Sequence, residues 1–196
     1  MLLAGAVLAL ALSQAASAQT RTALQIYNEY EEYSEKLNLE VRDTAMQRAA
    51  ATGSFGGADS YSKEPGSNWA KKQELEQELV GRSEGGDAYA SFCLGYIKST
   101  AGGEDNWRQS LALFKRAGDG GIADGYYNVA NQYSKGEGAI QSRLAAAEWY
   151  YRAGVAYLKT GKRERAFAAL EAVRASDRDS TLAKKLEIAL RASAPR

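Results

Sequence analysis

The stretch AEWYYRAG (147–154) sets three aromatic residues among two charged and three small ones, and it repeats the pattern of LALFKRAG (111–118). Large side chains occupy matching positions, and both stretches end in Arg-Ala-Gly. The segments upstream also match, because GIADGYYNVANQ (121–132) aligns with GDAYASFCLGYI (86–97). Self-similarity at a period of about 35 residues is typical of helical repeat proteins, so we predict stacked pairs of helices.

Each repeat combines small and large residues in a way that suits two closely packed helices. The small set is Ala90, Gly95, Gly125 and Ala130, and the large set is Leu94, Leu113, Phe114, Val129, Trp149 and Tyr150. Gly136 and Gly138 are expected to end the first helix of the second unit, since glycine reaches positive φ easily. A lone pair of helices cannot bury both of its faces, so the core closes only when units stack.

The second unit has a residue spacing that it shares with a known repeat family. It runs Gly121-x-Ala123-x-Gly125-x-Tyr127-Asn128-Val129-Ala130-x-x-Tyr133-x-x-Gly136-x-Gly138 and continues through Ala146-x-x-Trp149-Tyr150-x-x-Ala153-Gly154. This run resembles a Sel1-like repeat, a helical-hairpin relative of the tetratricopeptide repeat. Residues 86–120 resemble a poorer copy, with Lys98 in place of a tyrosine. The resemblance implies an all-α fold, a short right-handed α-solenoid of helical hairpins.

A third unit follows with a different spacing, which resembles that of a tetratricopeptide repeat. Its residues are Tyr150, Gly154, Tyr157, Gly161, Ala166, Leu170 and Val173. In this interpretation, the helix that carries residues 147–154 is the second helix of one unit and the first helix of the next. The last segment places Leu182, Leu186 and Leu190 on one helical face, which predicts a capping helix with a polar outside.

Upstream of the repeats, residues 21–50 are predicted to form a helix that packs on the domain as an N-terminal extension. Its apolar stripe consists of Ile26, Tyr27, Tyr30, Tyr33, Leu37 and Val41. The glycine-rich residues 51–67 predict a loop or linker, after which Ser67 or Asn68 caps another helix. We therefore divide the chain into a signal peptide (1–18), an N-terminal helix with its linker (19–67) and a repeat domain (68–196).

The first residues indicate export. An uncharged apolar run from Leu2 to Leu12 precedes Ala16-Ser17-Ala18, which fits a signal-peptidase site. The run is shorter than the ~20 apolar residues that span a membrane comfortably, although an uncleaved anchor is the alternative. We expect a periplasmic protein with no membrane insertion after cleavage of the signal peptide.

The composition argues against several classes of function. The 25 basic and 24 acidic residues nearly cancel, so no basic footprint for nucleic acid is present. Histidine is absent, which removes the commonest general base and the commonest metal ligand. The single cysteine, Cys93, has largely apolar neighbours and is expected to be a small buried hydrophobe. We therefore predict no catalytic residue, no metal site and no cofactor.

The resemblance implies that first helices line a concave groove. Transferring the groove positions residue by residue gives Tyr89, Phe92, Tyr96, Ser99, Asp124, Tyr127, Asn131, Lys135, Glu148, Tyr151, Val155 and Lys159. This set is rich in aromatic and polar groups, which suit a protein or peptide partner. The structural alternative is that matching aromatic positions serve the repeat core alone.

The sequence thus favours an exported interaction module in the bacterial envelope, an adaptor, assembly or regulatory factor that is not an enzyme. An immunity protein that neutralises a toxin is a sharper form of the same hypothesis. The alternative is a carboxylate-dependent enzyme that acts on cell-wall glycans, with Glu148 beside its aromatic neighbours. Homo-oligomerisation through the ends of the solenoid is a third hypothesis.

Overall fold

The computed structural model describes residues 21–52 and 66–193, and within these ranges the protein is all-α. The helices are α1 (Ala23–Thr52), α2 (Asn68–Glu84), α3 (Ala88–Ala101), α4 (Glu104–Asp119), α5 (Ala123–Lys135), α6 (Arg143–Lys159), α7 (Arg163–Ser176) and α8 (Thr181–Ala192). The all-α fold class that the repeated residue pattern of 111–118 and 147–154 predicted is confirmed.

Short polar side chains and glycine set the helix boundaries. Ser67 accepts a hydrogen bond from the Ala70 amide (3.2 Å) at the start of α2, and Ser142 does the same for the Ala145 amide (3.1 Å) at the start of α6. Gly136 ends α5 in the left-handed conformation at φ 80°, as predicted for this position. Each helix packs against the next one along the chain, from α1 on α2 to α7 on α8.

Contacts between next-but-one helices show how the hairpins stack. α1 touches α3, and α6 touches α8. Arg165 of α7 forms an ion pair with Asp124 of α5. The odd-numbered helices therefore share one layer and the even-numbered helices the other. The four hairpins α1/α2, α3/α4, α5/α6 and α7/α8 are stacked side by side.

The residues predicted for the third unit lie together. The sequence interpretation gave α6 two roles, as the second helix of one unit and the first helix of the next. Tyr150 and Tyr157 of α6 are buried in one cluster with Leu170 of α7, so α6 packs on α7 as well as on α5. In the structure Gly154 of α6 packs directly against Leu186 of α8, so α6 lies in the even layer. The helix that follows α5 in the odd layer is α7, which forms its own hairpin with α8. α8 ends the stack with Leu186 and Leu190 buried, and its outer side carries Lys184, Lys185 and the exposed Ile188, so the predicted polar outside includes one large apolar side chain.

The N-terminal helix packs on the repeats. Ile26 and Tyr30 are buried against α2 and α3, and Leu37 is also buried, as the apolar stripe predicted, whereas Tyr27 is only partly buried. Asn68 at the start of α2 donates a hydrogen bond to Glu40 of α1 (3.1 Å). α1 and α2 therefore add a first hairpin to the solenoid.

The core depends on close helix approach at the small residues. A Cβ atom built on Gly95 would lie 2.7 Å from the Phe114 ring, and one on Gly125 would lie 2.5 Å from the Phe114 carbonyl oxygen. Cys93 is buried, as expected. Trp149 is only partly buried, between Tyr126 and the Arg152 guanidinium. None of the helices described here is long and apolar enough to cross a membrane, and the predicted signal peptide lies outside the described residues.

Candidate partner-binding surface

The exposed side of the odd layer carries a group of aromatic side chains, which we call the aromatic patch: Tyr27, Tyr89, Phe92 and Tyr96. Tyr89 and Tyr96 are 39% and 47% exposed. Tyr27 of α1 meets Tyr96 of α3 edge to face, with ring centroids 6.1 Å apart. Phe92 is partly buried and joins Tyr89 (6.0 Å) to the core ring of Phe114 (5.8 Å). The patch is thus continuous across two hairpins.

The periodicity of α3 explains why this face is aromatic. Residues 89, 92 and 96 fall on one side of the helix because they are three and four positions apart. The other side carries Cys93 and Ile97, which are buried among residues of α1 and α2. Gly95 lets Phe114 of α4 approach α3 closely, and that ring supports Phe92 from below. A rigid core therefore positions the aromatic patch.

The predicted groove residues of α5 instead bind α6. The Tyr157 hydroxyl donates a hydrogen bond to Asp124 (2.6 Å), and the Tyr150 hydroxyl donates one to Asn131 (2.6 Å). Tyr127 packs edge to face against Tyr150, with centroids 5.0 Å apart. Asp124 and Asn131 thus join two helices and present their remaining polar atoms to the odd-layer surface.

The electrostatics of these tyrosines follow from the same contacts. Burial, with a contribution from Tyr127, raises the pKa of Tyr150 to about 12. Burial and the hydrogen bond to the Asp124 carboxylate raise the pKa of Tyr157 still further, although Arg165 opposes the shift. Both hydroxyls remain protonated donors at neutral pH, so the hydrogen bonds between α5 and α6 persist there.

A polar cleft lies between the C-terminal ends of α5 and α7, beside the start of α6. Its lining consists of Ser134, Gln141, Arg143, Tyr150, Ala172, Ala175 and Ser176. Arg143 closes one end by donating to the Ala175 carbonyl (3.1 Å), and the ion pair between Arg165 and Asp124 also bridges α5 and α7. Lys135 is exposed at the last turn of α5 and lies 3.6 Å from Glu137. This cleft offers hydroxyl, amide and guanidinium groups to a ligand.

The structure does not bring the predicted residues of α6 to this surface. Glu148 and Lys159 are exposed on the even layer, and Tyr151 and Val155 pack partly against the core there. The odd-layer residues Tyr89, Phe92, Tyr96, Asp124, Tyr127, Asn131 and Lys135 are the ones that share a side of the solenoid.

Sequence reasoning missed Tyr27, Arg143 and Arg165 as members of this surface. Tyr27 was assigned to the buried stripe of α1, yet its position at the edge of that stripe was a usable signal. Arg165 carried no such signal, because its place beside Asp124 depends on the stacking of α7 on α5. Comparisons of the chain with protein-family models, curated proteins and solved structures gave no match.

Proposed function

We propose that the protein is an interaction module that binds a protein or peptide partner across the odd layer and catalyses no reaction itself. The observation that carries this proposal is the aromatic patch, in which Tyr89 and Tyr96 are exposed next to Tyr27 and Phe92. Tyrosine is enriched at interface hot spots because it offers a large, stiff contact area together with a hydroxyl group.

The polar cleft defines the chemistry of the partner. It carries hydroxyl and guanidinium groups, and the ion pair of Asp124 with Arg165 lies at the opposite ends of α5 and α7, so the surface presents both signs of charge. A segment with a large apolar or aromatic anchor and mixed polar flanks fits such a surface better than a uniformly charged polymer does. Nucleic acid and membrane lipid are therefore not the partners that we propose.

The proposed location is the periplasm of a bacterium. The apolar run before Ala16-Ser17-Ala18 supports export. The resemblance to Sel1-like and tetratricopeptide-like repeats supports an adaptor, assembly or regulatory role, of which a toxin-neutralising immunity protein is one form.

Site-specific photo-cross-linking in cells tests the proposal. A photoreactive phenylalanine analogue is placed at Tyr96 in the aromatic patch or at Leu144 of α6, which is exposed on the other layer. The Tyr96 variant should give a covalent adduct with a discrete partner, and the Leu144 variant should not. Mass spectrometry of the adduct separates a toxin from an assembly factor. Equal labelling from both positions, or no adduct from position 96, would contradict the proposal.

The contribution of the patch is measured with the partner that cross-linking identifies. Replacing Tyr89 and Tyr96 together by alanine should weaken binding by about 30-fold or more, which is typical of hot-spot tyrosines. The matched control is Ile140→Ala, which removes an exposed apolar side chain from the α5–α6 loop. Affinity of the double variant within about twofold of that of the control would place the binding surface elsewhere.

A further inference from the structure

The two ends of the solenoid differ in character. Interior hairpins are covered on both sides, whereas the first and last hairpins each leave one side uncovered, and such ends are normally polar. At the C-terminal end Phe167 of α7 is 56% exposed and Ile188 of α8 is 68% exposed. Between α7 and α8 lies a groove of about 410 Å³ with Leu170 and Leu190 in its lining. The last hairpin therefore presents an apolar surface to solvent.

Basic groups dominate the rim of this groove. Arg163, Arg174 and Arg191 line it, together with Glu164 and Glu187. Arg174 and Arg191 both bind Glu187, at 2.8 and 2.6 Å. We use the name C-terminal face for this groove together with its neighbours on the outer side of α8, which are Lys184, Lys185 and Ile188. Glu187 is already engaged by two arginines of the same face. The C-terminal face has five basic side chains against two carboxylates, so its net charge is positive and it favours an acidic partner.

The first hairpin carries the complementary pattern on α1. Leu24, Asn28, Glu31, Glu35 and Leu39 form one stripe along α1, opposite the buried stripe, and we call this the acidic stripe. All five residues are exposed, and Leu24 and Leu39 are nearly half exposed. The acidic stripe thus places carboxylates between two apolar side chains, whereas the C-terminal face places basic groups around an apolar groove.

The dimensions of the two surfaces also agree. Leu24 and Leu39 are separated by about 22 Å along α1 at the rise of an α-helix. The groove-lining residues of α7 run from Arg163 to Arg174, which is about 17 Å at the same rise. A helix from one molecule can therefore lie along the full groove of another, in the manner of an amphipathic helix in an apolar groove.

We propose that the protein associates head to tail, with the acidic stripe of one molecule docked on the C-terminal face of a second copy. The two contacting surfaces differ, so the contact is heterologous and each added molecule leaves one free end of each kind. Association then produces chains whose mean length rises with protein concentration. The aromatic patch lies on the odd layer of every molecule, so such chains would display the partner-binding surface repeatedly.

Sedimentation velocity of the purified protein with two charge-reversed variants tests this contact. The first variant carries Glu31→Lys with Glu35→Lys, and the second carries Lys184→Glu with Lys185→Glu. All four side chains are exposed, and circular dichroism melts confirm that each variant is folded. In a solution of either variant alone, the stripe on α1 and the C-terminal face have the same sign of charge. The dissociation constant for self-association should then rise by at least about tenfold. An equimolar mixture has opposite charges at both contacts and should recover the association.

A control variant carries Arg108→Glu with Arg152→Glu, which makes the same change of net charge as the second variant, on exposed residues of α4 and α6. It should associate as the unmodified protein does. Three results would each overturn the proposal: a monomer at every concentration of the unmodified protein, reversed variants that associate as strongly as the control, or a mixture that stays monomeric. If the protein instead formed a symmetric dimer through the C-terminal face, the variant with Glu31→Lys and Glu35→Lys would associate as strongly as the control. That outcome would also overturn the proposal.

Discussion

Gly125 is a position where a helix of the second repeat packs closely on a helix of the first. It lies on α5 against α4, and a Cβ atom there would sit 2.5 Å from the Phe114 carbonyl oxygen and 2.7 Å from the Gly118 amide nitrogen. These atoms belong to the backbone, so a rotamer change cannot relieve the clash. In Gly125→Ala the helices must move apart, which opens the core around the buried Val129.

The magnitude follows from two opposing terms. Alanine stabilises a helix by about 1 kcal/mol relative to glycine, while overpacking costs about 1–3 kcal/mol and more where backbone must move. We expect Gly125→Ala to lower the free energy of unfolding by about 2 kcal/mol, which corresponds to roughly 4–8 °C in Tm for a chain of this length. The control is Gly81→Ala on α2, where a Cβ atom would meet nothing within 4 Å. Only the higher helix propensity of alanine then affects the stability of this variant.

Thermal and urea unfolding followed by circular dichroism measure both variants under identical conditions. The free energy of unfolding should fall for Gly125→Ala and rise by about 0.5–1 kcal/mol for Gly81→Ala. If Gly125→Ala were as stable as Gly81→Ala, the close approach of α4 and α5 would be refuted, and with it the stacking of the repeats.

Three further predictions concern individual side chains. Trp149→Ala should lower the free energy of unfolding in urea by about 2–3 kcal/mol, which is less than for a fully buried tryptophan, because the ring is only partly buried. A loss below about 1 kcal/mol would mean that the ring contributes no packing. Burial raises the pKa of both Tyr30 and Tyr150 to about 12, whereas an unfolded tyrosine ionises near pH 10. The unfolded state therefore loses protons that the folded state keeps, and stability should fall as pH rises from about 10 to 12. Tyr150→Phe should flatten that dependence in urea titrations, and an unchanged slope would contradict the burial of the hydroxyl. The pKa of the Cys93 thiol is likewise raised to about 12 by burial, so a thiol reagent should label it only after unfolding, and fast labelling of the native protein would place it at the surface.

The helices and their close contacts could be predicted because they depend on local spacing. Gly95 matches Ala130 in the repeat, and Gly125 matches Ala90, so both points of the repeat carry small residues. Gly95 and Gly125 each lie where a neighbouring helix leaves no room for a Cβ atom. The buried stripe of α1 was also predictable, since Ile26, Tyr30 and Leu37 follow the helical period.

The layer of α6 could not be predicted because this helix is apolar on more than one side. Tyr150 faces α5, Gly154 faces α8 and Tyr151 packs partly against the core between them. Helical periodicity shows which residues share a face, but it does not show which neighbour covers that face. The assignment of Glu148 and Lys159 to the groove depended on this missing information.

The roles of Asp124 and Asn131 were hidden for a related reason. Both are polar residues near the surface of α5, which is typical of a groove position. Their hydrogen bonds to the hydroxyls of Tyr157 and Tyr150 arise only when α6 crosses α5 at the right height. Sequence spacing therefore identifies the helix face, and tertiary packing decides how much of each side chain remains for a partner.

The stacking of odd-numbered helices in one layer is tested most directly by chemical cross-linking between α5 and α7. Cysteines replace Asp124 and Arg165, whose side chains form an ion pair, in a Cys93→Ser background, and a short bifunctional thiol reagent is added. A second protein pairs position 124 with Lys184 on the outer side of α8. The 124/165 protein should cross-link rapidly within one molecule while folded, and the 124/184 protein should not. Failure of the folded 124/165 protein to cross-link, or equally rapid linkage of the 124/184 pair, would contradict the two-layer arrangement on which the binding surface depends.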